Sequence, residues 1–440
     1  MGFSETEREG DVWSANFIAD GSLLDLPGGD VKAAIGAAYR EEGYDSFISS
    51  FTSGTSPRTA EDQRLSRDVT AYFGEVVVPV VGEKNAFPGV KRLELTAAVR
   101  YEDYSDFGST TNPKYGIVWQ AAGPIEIRGT YGTSFRAPLL TQLDDSNAFT
   151  IFAPIPDPIG IRPGGTSNAL ILIGNNSGLE PEEATTFTVG VDFESIIPGL
   201  QVSATYFDIE YENRISNISS PFTALLNEDL LGPVINRGPD TTQIEEAFAV
   251  DDVLNLIGST DPTDVDVLID GRQKNLSVLE VSGFDFSVDY LRDLGAGHLT
   301  IRVAGSVYDE FRTAFTASQL PTDVLGTITH PVDYRLRNSI GYGTDNWSLI
   351  LFHNHVTSYT DNLSDPERKV DAWNTIDIRA TYRFGDSRPV VGGVSVSLFA
   401  LNALSEDPPF VNNIGGSIGF DPEHASARGQ FVGIELSKDW

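Results

Sequence analysis

Apolar and polar side chains alternate along most of this 440-residue chain, one position at a time. The clearest example is the run LELTAAVRYE at 93–102, where every second residue is Leu, Ala, Val or Tyr. A period of two is the pattern of a β-strand with one apolar and one polar face. The pattern predicts about fifteen strands, at 13–19, 31–39, 69–80, 93–101, 115–119, 125–131, 187–193, 200–206, 284–290, 299–303, 334–342, 347–356, 376–384, 394–400 and 432–440.

The links between these strands alternate in length. Short links lie at 20–30, 81–92, 121–124, 195–199, 291–297, 343–346 and 385–393. Mostly longer links lie between them, at 40–68, 102–113, 136–185, 213–277, 309–333, 358–371 and 403–428. Outer-membrane barrels have short periplasmic turns at one rim and long extracellular loops at the other, whereas a soluble sandwich has no reason to sort its loops in this way.

The pattern therefore predicts an all-β fold, a transmembrane antiparallel up-and-down β-barrel. Its strands have about the ten residues that a tilted membrane-spanning strand requires. If the short links are periplasmic, the first and last strands both run downward and the number of strands is odd. Bacterial single-chain barrels are even-numbered, so we expect residues 1–440 to be the later part of a larger barrel, cut within a loop.

The composition of the chain argues against some kinds of partner and binding site. The net charge is −33, which argues against a nucleic-acid partner, because phosphates need Lys and Arg to neutralise them. The chain has no cysteine, which excludes disulfides and thiolate metal sites. The first residues, MGFSETEREG, contain no apolar signal-peptide core, so a secreted or outer-membrane location requires that the chain be a fragment or an altered form of the protein.

Several specific motifs occur in a fixed order. They are NPKYGIVWQ at 112–120, YGTSFRAP at 131–138, GLEPEEATTFTVGVDFE at 178–194, PGLQVSATYFDIEY at 198–211 and the ending DPEHASARGQFVGIELSKDW at 421–440. In this order they resemble the C-terminal part of the β-barrel of TonB-dependent outer-membrane receptors. The resemblance covers roughly 14–440, nearly the whole chain, and the combination is more specific than any single motif.

The resemblance implies a receptor, not an enzyme, in the outer membrane of a Gram-negative bacterium. It implies active uptake of a scarce ligand, namely a ferric siderophore, cobalamin or an oligosaccharide, energised by the TonB system, with no cofactor. Outer-membrane lipid and the barrel assembly machinery are the other expected partners. In the last strand, the residues expected to form the assembly signal are Val432, Ile434, Leu436 and Trp440.

The chain also departs from the family pattern. Such receptors have about 22 strands and a plugged lumen, whereas this chain has no recognisable plug domain or TonB box and about seven fewer strands. The alternative function is a passive outer-membrane channel, in which a shortened and unplugged barrel admits small solutes.

The motif YGTSFRAP lies where a strand enters a long loop, so it can either contact ligand or end the strand at the membrane rim. We favour the structural role, because Phe135 suits the interface and Pro138 ends the ladder where its missing N–H does no harm. The motif residues concerned are Tyr131, Gly132, Ser134, Phe135, Arg136, Ala137 and Pro138.

The loop that follows the motif is the stronger candidate for binding, since loops on a rigid scaffold usually carry recognition. Phe149, Phe152 and Arg162 are the candidate ligand contacts, and the apolar run 169–173 lies nearby. The alternative is a loop whose side chains pack on its neighbours, and the sequence leaves both open.

The loop 213–277 is long and strongly acidic. Thr242 with Glu245 matches a capping box, and Asp261, Pro262 and Asp264 match a second helix start, so we expect two short helices. Oxygen ligands suit calcium or a cationic ligand. A solvated acidic lid is the favoured interpretation, because the spacing matches no EF-hand loop.

Two histidines, His353 and His355, share one face of a strand, which could bring two imidazoles to one metal. Leu349 and Leu351 share that face, and no third ligand is identifiable, so we predict no metal site. The other histidines, His298, His330 and His424, are isolated in the sequence. No phosphate loop, zinc motif or nucleophile elbow appears.

Overall fold

The computed structural model describes residues 3–51, 58–160, 162–194, 197–218, 220–249, 252–316, 319–385, 392–412 and 418–438. The strands of the first half are β1 Phe3–Leu26, β2 Gly29–Phe51, β3 Arg58–Val81, β4 Arg92–Tyr104, β5 Gly108–Ala122, β6 Ile125–Arg136, β7 Phe149–Pro156, β8 Thr166–Ile173, β9 Glu182–Glu194 and β10 Leu200–Ser216. Those of the second half are β11 Ile235–Asn236, β12 Asp252–Asn255, β13 Val267–Asp270, β14 Lys274–Leu294, β15 Gly297–Ala314, β16 Thr322–Asp323, β17 Tyr334–Gly343, β18 Trp347–Val356, β19 Tyr359–Asp361, β20 Arg368–Val370, β21 Trp373–Arg383, β22 Val394–Leu401 and β23 Phe431–Lys438. The α-helices are α1 Glu228–Leu231 and α2 Thr241–Phe248, and the 3-10 helices are Leu140–Gln142, Asp145–Asn147, Pro221–Asn227, Gly232–Val234 and Pro262–Asp264.

Fifteen strands form one antiparallel sheet, which we call the main sheet. Its order is β1-β2-β3-β4-β5-β6-β9-β10-β14-β15-β17-β18-β21-β22-β23, and the short β16 adds to β15. Each strand pairs with the preceding and the following main-sheet strand, which is the up-and-down order that the alternation predicts. The predicted fold class is confirmed, and each of the fifteen predicted strands corresponds to one strand of the main sheet.

The strand register keeps the apolar side chains on one face of the main sheet. Tyr115 pairs with Tyr131, Tyr131 with Phe187, and Ile340 with Leu351, so an apolar position faces an apolar position across neighbouring strands. These side chains are exposed: Ile340, for example, is 49% accessible. A soluble protein would cover so large an apolar face, whereas a membrane protein presents it to lipid.

The opposite face of the main sheet is polar and internally paired. Arg128 of β6 donates to Asp192 of β9 at 2.7 Å and to Thr205 of β10 at 2.7 Å. Ser203 donates to the second oxygen of Asp192 at 2.6 Å. These contacts join three neighbouring strands by charge-assisted hydrogen bonds, so the polar face adds specificity to the main-chain ladder.

Two of the predicted long links are mostly strand. The predicted link 40–68 is largely occupied by β2 and β3, and the predicted link 102–113 contains only the three-residue turn 105–107. Hydrophobic alternation stops in these stretches because polar residues occupy both faces, yet the main-chain pairing of neighbouring strands continues through them. The alternation therefore marks the apolar part of each strand and not its full length.

The two longest links, 137–181 and 217–273, build a second sheet together, which we call the loop sheet. Its strand order is β11-β13-β8-β7-β12. The hairpin β7–β8 comes from the first link, and β13 and β12 of the second link add to it in parallel. The apolar run 169–173 is the C-terminal part of β8, the central strand of the loop sheet. Its side chains pack on both faces of this sheet, which explains why every position is apolar.

Both faces of the loop sheet are covered. Ile151, Ile171 and Ile269 pack on one face against Leu225 and Leu231, which lie in the helical segment that begins the second link. The residues packed on the other face include Phe152, Leu170, Leu268, Ile244 and Ala247, the last two from α2. Much of the buried core of this molecule therefore lies in the links, since the apolar face of the main sheet is exposed.

A third buried cluster joins the links 315–333, 357–372 and 402–430. Its members are Ile328, Val332, Tyr359, Val370 and Val411. We call it the second loop core. By the topology of the main sheet, these links leave the same rim as the loop sheet, which we call the long-loop rim.

The helix predictions for the acidic link need correction. Helix α2 begins at Thr241, capped by Asp240, whose side chain and that of Gln243 form the capping box, and not by Thr242 with Glu245. The second predicted helix is a single 3-10 turn, Pro262–Asp264, whose cap is Asp261. The helical turns at 221–231 begin with Ser220 and Pro221, the same kind of helix start as Asp261 and Pro262, but were not predicted. No helix in the described part of the chain is long and apolar enough to cross a membrane.

Replacing Phe152 by Ala should unfold or loosen the loop sheet and leave the main sheet intact. The side chain is fully buried and meets Phe248 edge-on at 5.5 Å, so its removal should cost about 3–5 kcal/mol. Hydrogen exchange of β7, β8 and β13, compared with β4 and β5, measures the effect. The control is Ile159→Ala, an exposed residue of the same link. Equal loss of protection in Phe152→Ala and Ile159→Ala would show that burial of the Phe152 side chain does not stabilise the loop sheet.

Candidate functional site

The motif YGTSFRAP ends β6 at the long-loop rim, where an ion pair ties it to β9. Arg136 donates to Glu182 at 2.8 Å, and Glu182 is only 2% exposed. The same carboxylate accepts hydrogen bonds from the Ile215 amide at 2.7 Å and from the Tyr211 hydroxyl. Because buried carboxylates are stable only when they are paired, Glu182 holds the ends of three strands together.

The end of the motif contacts strands on its other side. Phe135 meets Tyr104 edge-on at 5.8 Å, and Arg67 of β3 donates to the carbonyl of Pro138 at 2.8 Å. Tyr131, Gly132 and Ser134 lie earlier in β6, and Ala137 and Pro138 follow its last residue. These contacts support the structural role of the motif at the strand end.

The three candidate ligand contacts of the following link occupy different environments. Phe149 begins β7 and is 36% exposed, whereas Phe152 has no exposed surface and belongs to the core of the loop sheet. Arg162 pairs with Asp266 and donates to the Asp264 carbonyl at 3.0 Å. Phe149 and Arg162 therefore have surface that a ligand can reach, and Phe152 has none.

Several carboxylates of the acidic link, among them Glu228, Asp266 and Asp270, pair with arginine or lysine side chains. Arg237 donates to Asp157 at 2.8 Å and to Glu228 at 2.6 Å. Ser167 also donates to Asp157 at 2.6 Å. The Arg237 hydrogen bond, reinforced by Ser167, lowers the pKa of the buried Asp157 carboxyl to about 2. Arg272 and Lys274 pair with Asp270 in the same way.

These pairings engage carboxylate oxygens that could otherwise bind a cation. Within the described residues, no three His, Cys, Asp or Glu side chains are arranged to hold a metal ion. Asp251 lies outside the described residues. Arginine and lysine side chains pair part of the negative charge of the link, and a solvated acidic lid stays a prediction.

His353 and His355 lie together on the apolar face of β18, with ring centroids 6.2 Å apart. Both rings bond to the side-chain oxygen of Asn374, at 3.1 and 2.8 Å, and His355 stacks on Tyr334 at 5.3 Å. The pair therefore has an amide partner and an aromatic partner.

Strand β23 presents the proposed assembly residues on the apolar face. Val432, Ile434 and Leu436 are exposed and pair with Ala400, Leu398 and Val396 of β22. Trp440 lies outside the described residues. The assembly role stays a prediction.

Sequence reasoning missed a buried ionic cluster in the last link. His424, isolated in the sequence pattern, lies with Asp421 and Arg335 beneath the second loop core. Its signal is the spacing Asp421-x-x-His424, which places a carboxylate and an imidazole close together in a tight turn. Arg335 comes from β17, so only the fold brings it to this place.

The carboxyl group of Asp157 makes the stability of the loop sheet depend on pH in the acidic range. Its pKa is lower in the folded state than the usual 3.8, so the stabilisation is complete above about pH 4 and disappears as pH falls toward about 2. The shift corresponds to about 2 kcal/mol. In Asp157→Asn we expect that loss at neutral pH and no further loss over this acid range. Hydrogen exchange of β7 and β8 measures it, with Asp229→Asn, an exposed carboxyl of the acidic link, as control. An unchanged acid profile in Asp157→Asn would contradict the assignment.

Solved structures share the fold of this chain. A siderophore receptor, PirA, from Acinetobacter baumannii aligns with a TM-score of 0.61 at 12% identity, covering 97% of this chain and 55% of the receptor. A ferric enterobactin receptor, PfeA, from Pseudomonas aeruginosa, determined as a mutant in complex with enterobactin, aligns with a TM-score of 0.63 at 15% identity, covering 98% and 54%. The ferric citrate transporter FecA aligns with a TM-score of 0.56 at 13% identity, covering 99% and 55%.

The chain thus spans about half the length of the receptors whose fold it shares. A search of curated proteins found no match. The family model for the TonB dependent receptor-like β-barrel matches residues 2–403. Since that model describes a receptor barrel typical of the Gram-negative outer membrane, it also confirms the prediction of a non-enzymatic protein. The chain belongs to the TonB-dependent receptor β-barrel family.

Proposed function

We propose that this chain forms the ligand-receiving part of an outer-membrane receptor that takes up a scarce ligand with energy from the TonB system. The observation that carries the proposal is the asymmetry of the main sheet. It has one continuous apolar face, one polar face and, among the residues that the structure describes, folded loop structures at one of its two rims. A receptor needs such a division between lipid contact, lumen and recognition surface.

The apolar face supports a location in the outer membrane. Outer-membrane barrels have their long loops outside the cell and their short turns in the periplasm. The long-loop rim would then face the outside, where ligand arrives, and the short turns would face the periplasm, where TonB acts. Loops that carry their own buried cores are rigid, and a rigid surface binds a ligand with less loss of conformational entropy than a mobile one.

A ferric siderophore is the ligand class that we favour, with cobalamin and an oligosaccharide as the other classes. The support is that two proteins with this fold are a ferric enterobactin receptor, solved with enterobactin bound, and a ferric citrate transporter. Within the chain, Phe149 supplies an exposed aromatic surface at one end of the β7–β8 hairpin, and Arg162 supplies a partly exposed guanidinium at the other end. An aromatic group and a guanidinium suit a catecholate or carboxylate chelate of iron.

A passive channel receives less support. A channel made of these strands alone requires β1 and β23 to pair with each other. Among the described residues, β1 pairs with β2 and β23 with β22. We therefore expect no steady single-channel conductance from the chain in a planar bilayer.

A binding titration tests the ligand proposal. The full chain in detergent is titrated with ferric enterobactin, ferric citrate, cobalamin and a maltodextrin while its tryptophan fluorescence is measured. We expect saturable binding of one ferric chelate. Phe149→Ala should weaken that binding at least fivefold, since exposed aromatic anchors contribute about 1 kcal/mol or more to binding. Ile159→Ala, an exposed residue of the same link, is the matched control. Saturable binding of none of the four probes would refute the proposal.

If the apolar face contacts lipid, a charge placed on that face should destabilise the main sheet much more than a charge placed on the polar face. Leu351→Arg places a charge on the apolar face and should lower the free energy of unfolding in lipid vesicles by about 2–4 kcal/mol. Ser339→Arg places the same charge on the polar face of the neighbouring strand and should change it little. Denaturant unfolding in vesicles measures both. Similar effects of the two substitutions would show that the apolar face does not meet lipid.

A further inference from the structure

Three links at the long-loop rim are held together by main-chain and side-chain contacts around the second loop core. Ile328 donates its amide to the carbonyl of Thr360 at 3.0 Å, and the amide of Thr360 donates to the carbonyl of Gly326 at 2.8 Å. The amide of Thr329 donates to the carboxylate of Asp421 at 2.8 Å, which joins the link 402–430 to the other two.

His424 lies at the centre of this junction and is buried. Its Nδ1 accepts a hydrogen bond from the guanidinium of Arg335, which also donates to the carbonyl of Glu423 at 3.0 Å. The ring of Tyr359 stands edge-on to the imidazole at 4.7 Å. Because Arg335 can only donate, this geometry requires a neutral imidazole that carries its hydrogen on Nε2.

The carboxylate nearest to the ring does not hydrogen-bond to it. Asp421 is fully buried, and its carboxylate accepts from the amides of Thr329 and Glu423. Its nearer oxygen is 3.8 Å from Nε2 of His424, too far for a hydrogen bond, and within the part of the chain that the structure describes no side chain hydrogen-bonds to Nε2. Among the described residues, the charged groups facing the imidazole are Arg335 at one nitrogen and Asp421 beyond the other. Tyr359 and His330, whose backbone acts on the ring, are the further titratable neighbours.

We propose that His424 is a proton-sensitive latch that holds the three links together while its imidazole is neutral and releases the link 402–430 when it is protonated. A proton on Nδ1 would set an N–H against the N–H of Arg335 and a positive charge against its guanidinium. Arg335 would have to leave both Nδ1 and the Glu423 carbonyl, and the link 402–430 would lose its contact with β17.

The electrostatics of the site agree with this direction. Burial lowers the pKa of His424 most, and Arg335 lowers it further. Asp421 and the backbone groups of His330 and Glu423 raise it, but the lowering prevails. The pKa in the closed state is therefore below the usual 6.5. The closed junction has its full stability above about pH 6.5 and loses it as pH falls below that value toward the closed-state pKa.

Hydrogen exchange of the full chain in detergent tests the latch, with labelling times scaled to the intrinsic exchange rate at each pH. We expect the amides of Thr329, His424 and Ala425 to lose protection by up to about tenfold between about pH 6.5 and pH 5.5. Amides of β4 and β5 should keep their protection and serve as the internal reference.

Two substitutions separate a latch from simple acid damage. His424→Asn keeps an oxygen that accepts from Arg335 but cannot titrate, so protection should be independent of pH in this range. Arg335→Met removes the opposing charge and leaves Asp421 to favour the imidazolium, so the acid-dependent release should also disappear. His298→Asn is the matched control, because His298 is an exposed histidine at the short-turn rim that pairs with Asp293.

The results decide the proposal in either direction. Acid-dependent loss of protection in the parent chain and in His298→Asn, but in neither latch variant, supports it. Constant protection in the parent chain overturns it. An equal acid-dependent loss in His424→Asn also overturns it, because another group would then be responsible.

Discussion

Main-chain pairing of neighbouring strands, in a register that keeps the apolar positions together despite local bulges, is the constraint on which the rest of this structure depends. Fifteen strands are joined neighbour to neighbour, and the pairing places Leu95 beside Ile117 and Tyr206 beside Phe284. A shift of one residue at any junction would bring polar side chains to the apolar face. The apolar face, the polar face and the two rims are all consequences of this register.

The loops are folded structures in their own right. Because the apolar face of the main sheet has no protein cover, the links supply the buried cores, in the loop sheet and in the second loop core. Ion pairs inside these cores, such as Arg237 with Asp157, join segments that are distant in sequence. Rigid links of this kind give a receptor a defined outer surface, and the His424 junction makes part of that surface responsive to protons.

The candidate site was only partly predictable. Residue type made Phe149, Phe152 and Arg162 equal candidates for ligand contact. Burial excludes Phe152, because its side chain packs in the core between the loop sheet and α2. Asp157 and His424 carried no signal strong enough to select them, because their main partners, Arg237 and Arg335, lie 80 and 89 residues away. Contacts of this kind depend on which links meet at the rim, and no local pattern contains that information.

Alternation of side chains by itself determined the number of main-sheet strands, their order and the two faces, because a strand has a period of two whatever surrounds it. The same pattern underestimated β2 and β3, whose outer parts are polar on both faces. Only the tertiary structure decided that the links 137–181 and 217–273 share one sheet, since parallel pairing of β8 with β13 joins segments almost a hundred residues apart. The family can thus be identified from local patterns, whereas the recognition surface arises from long-range packing.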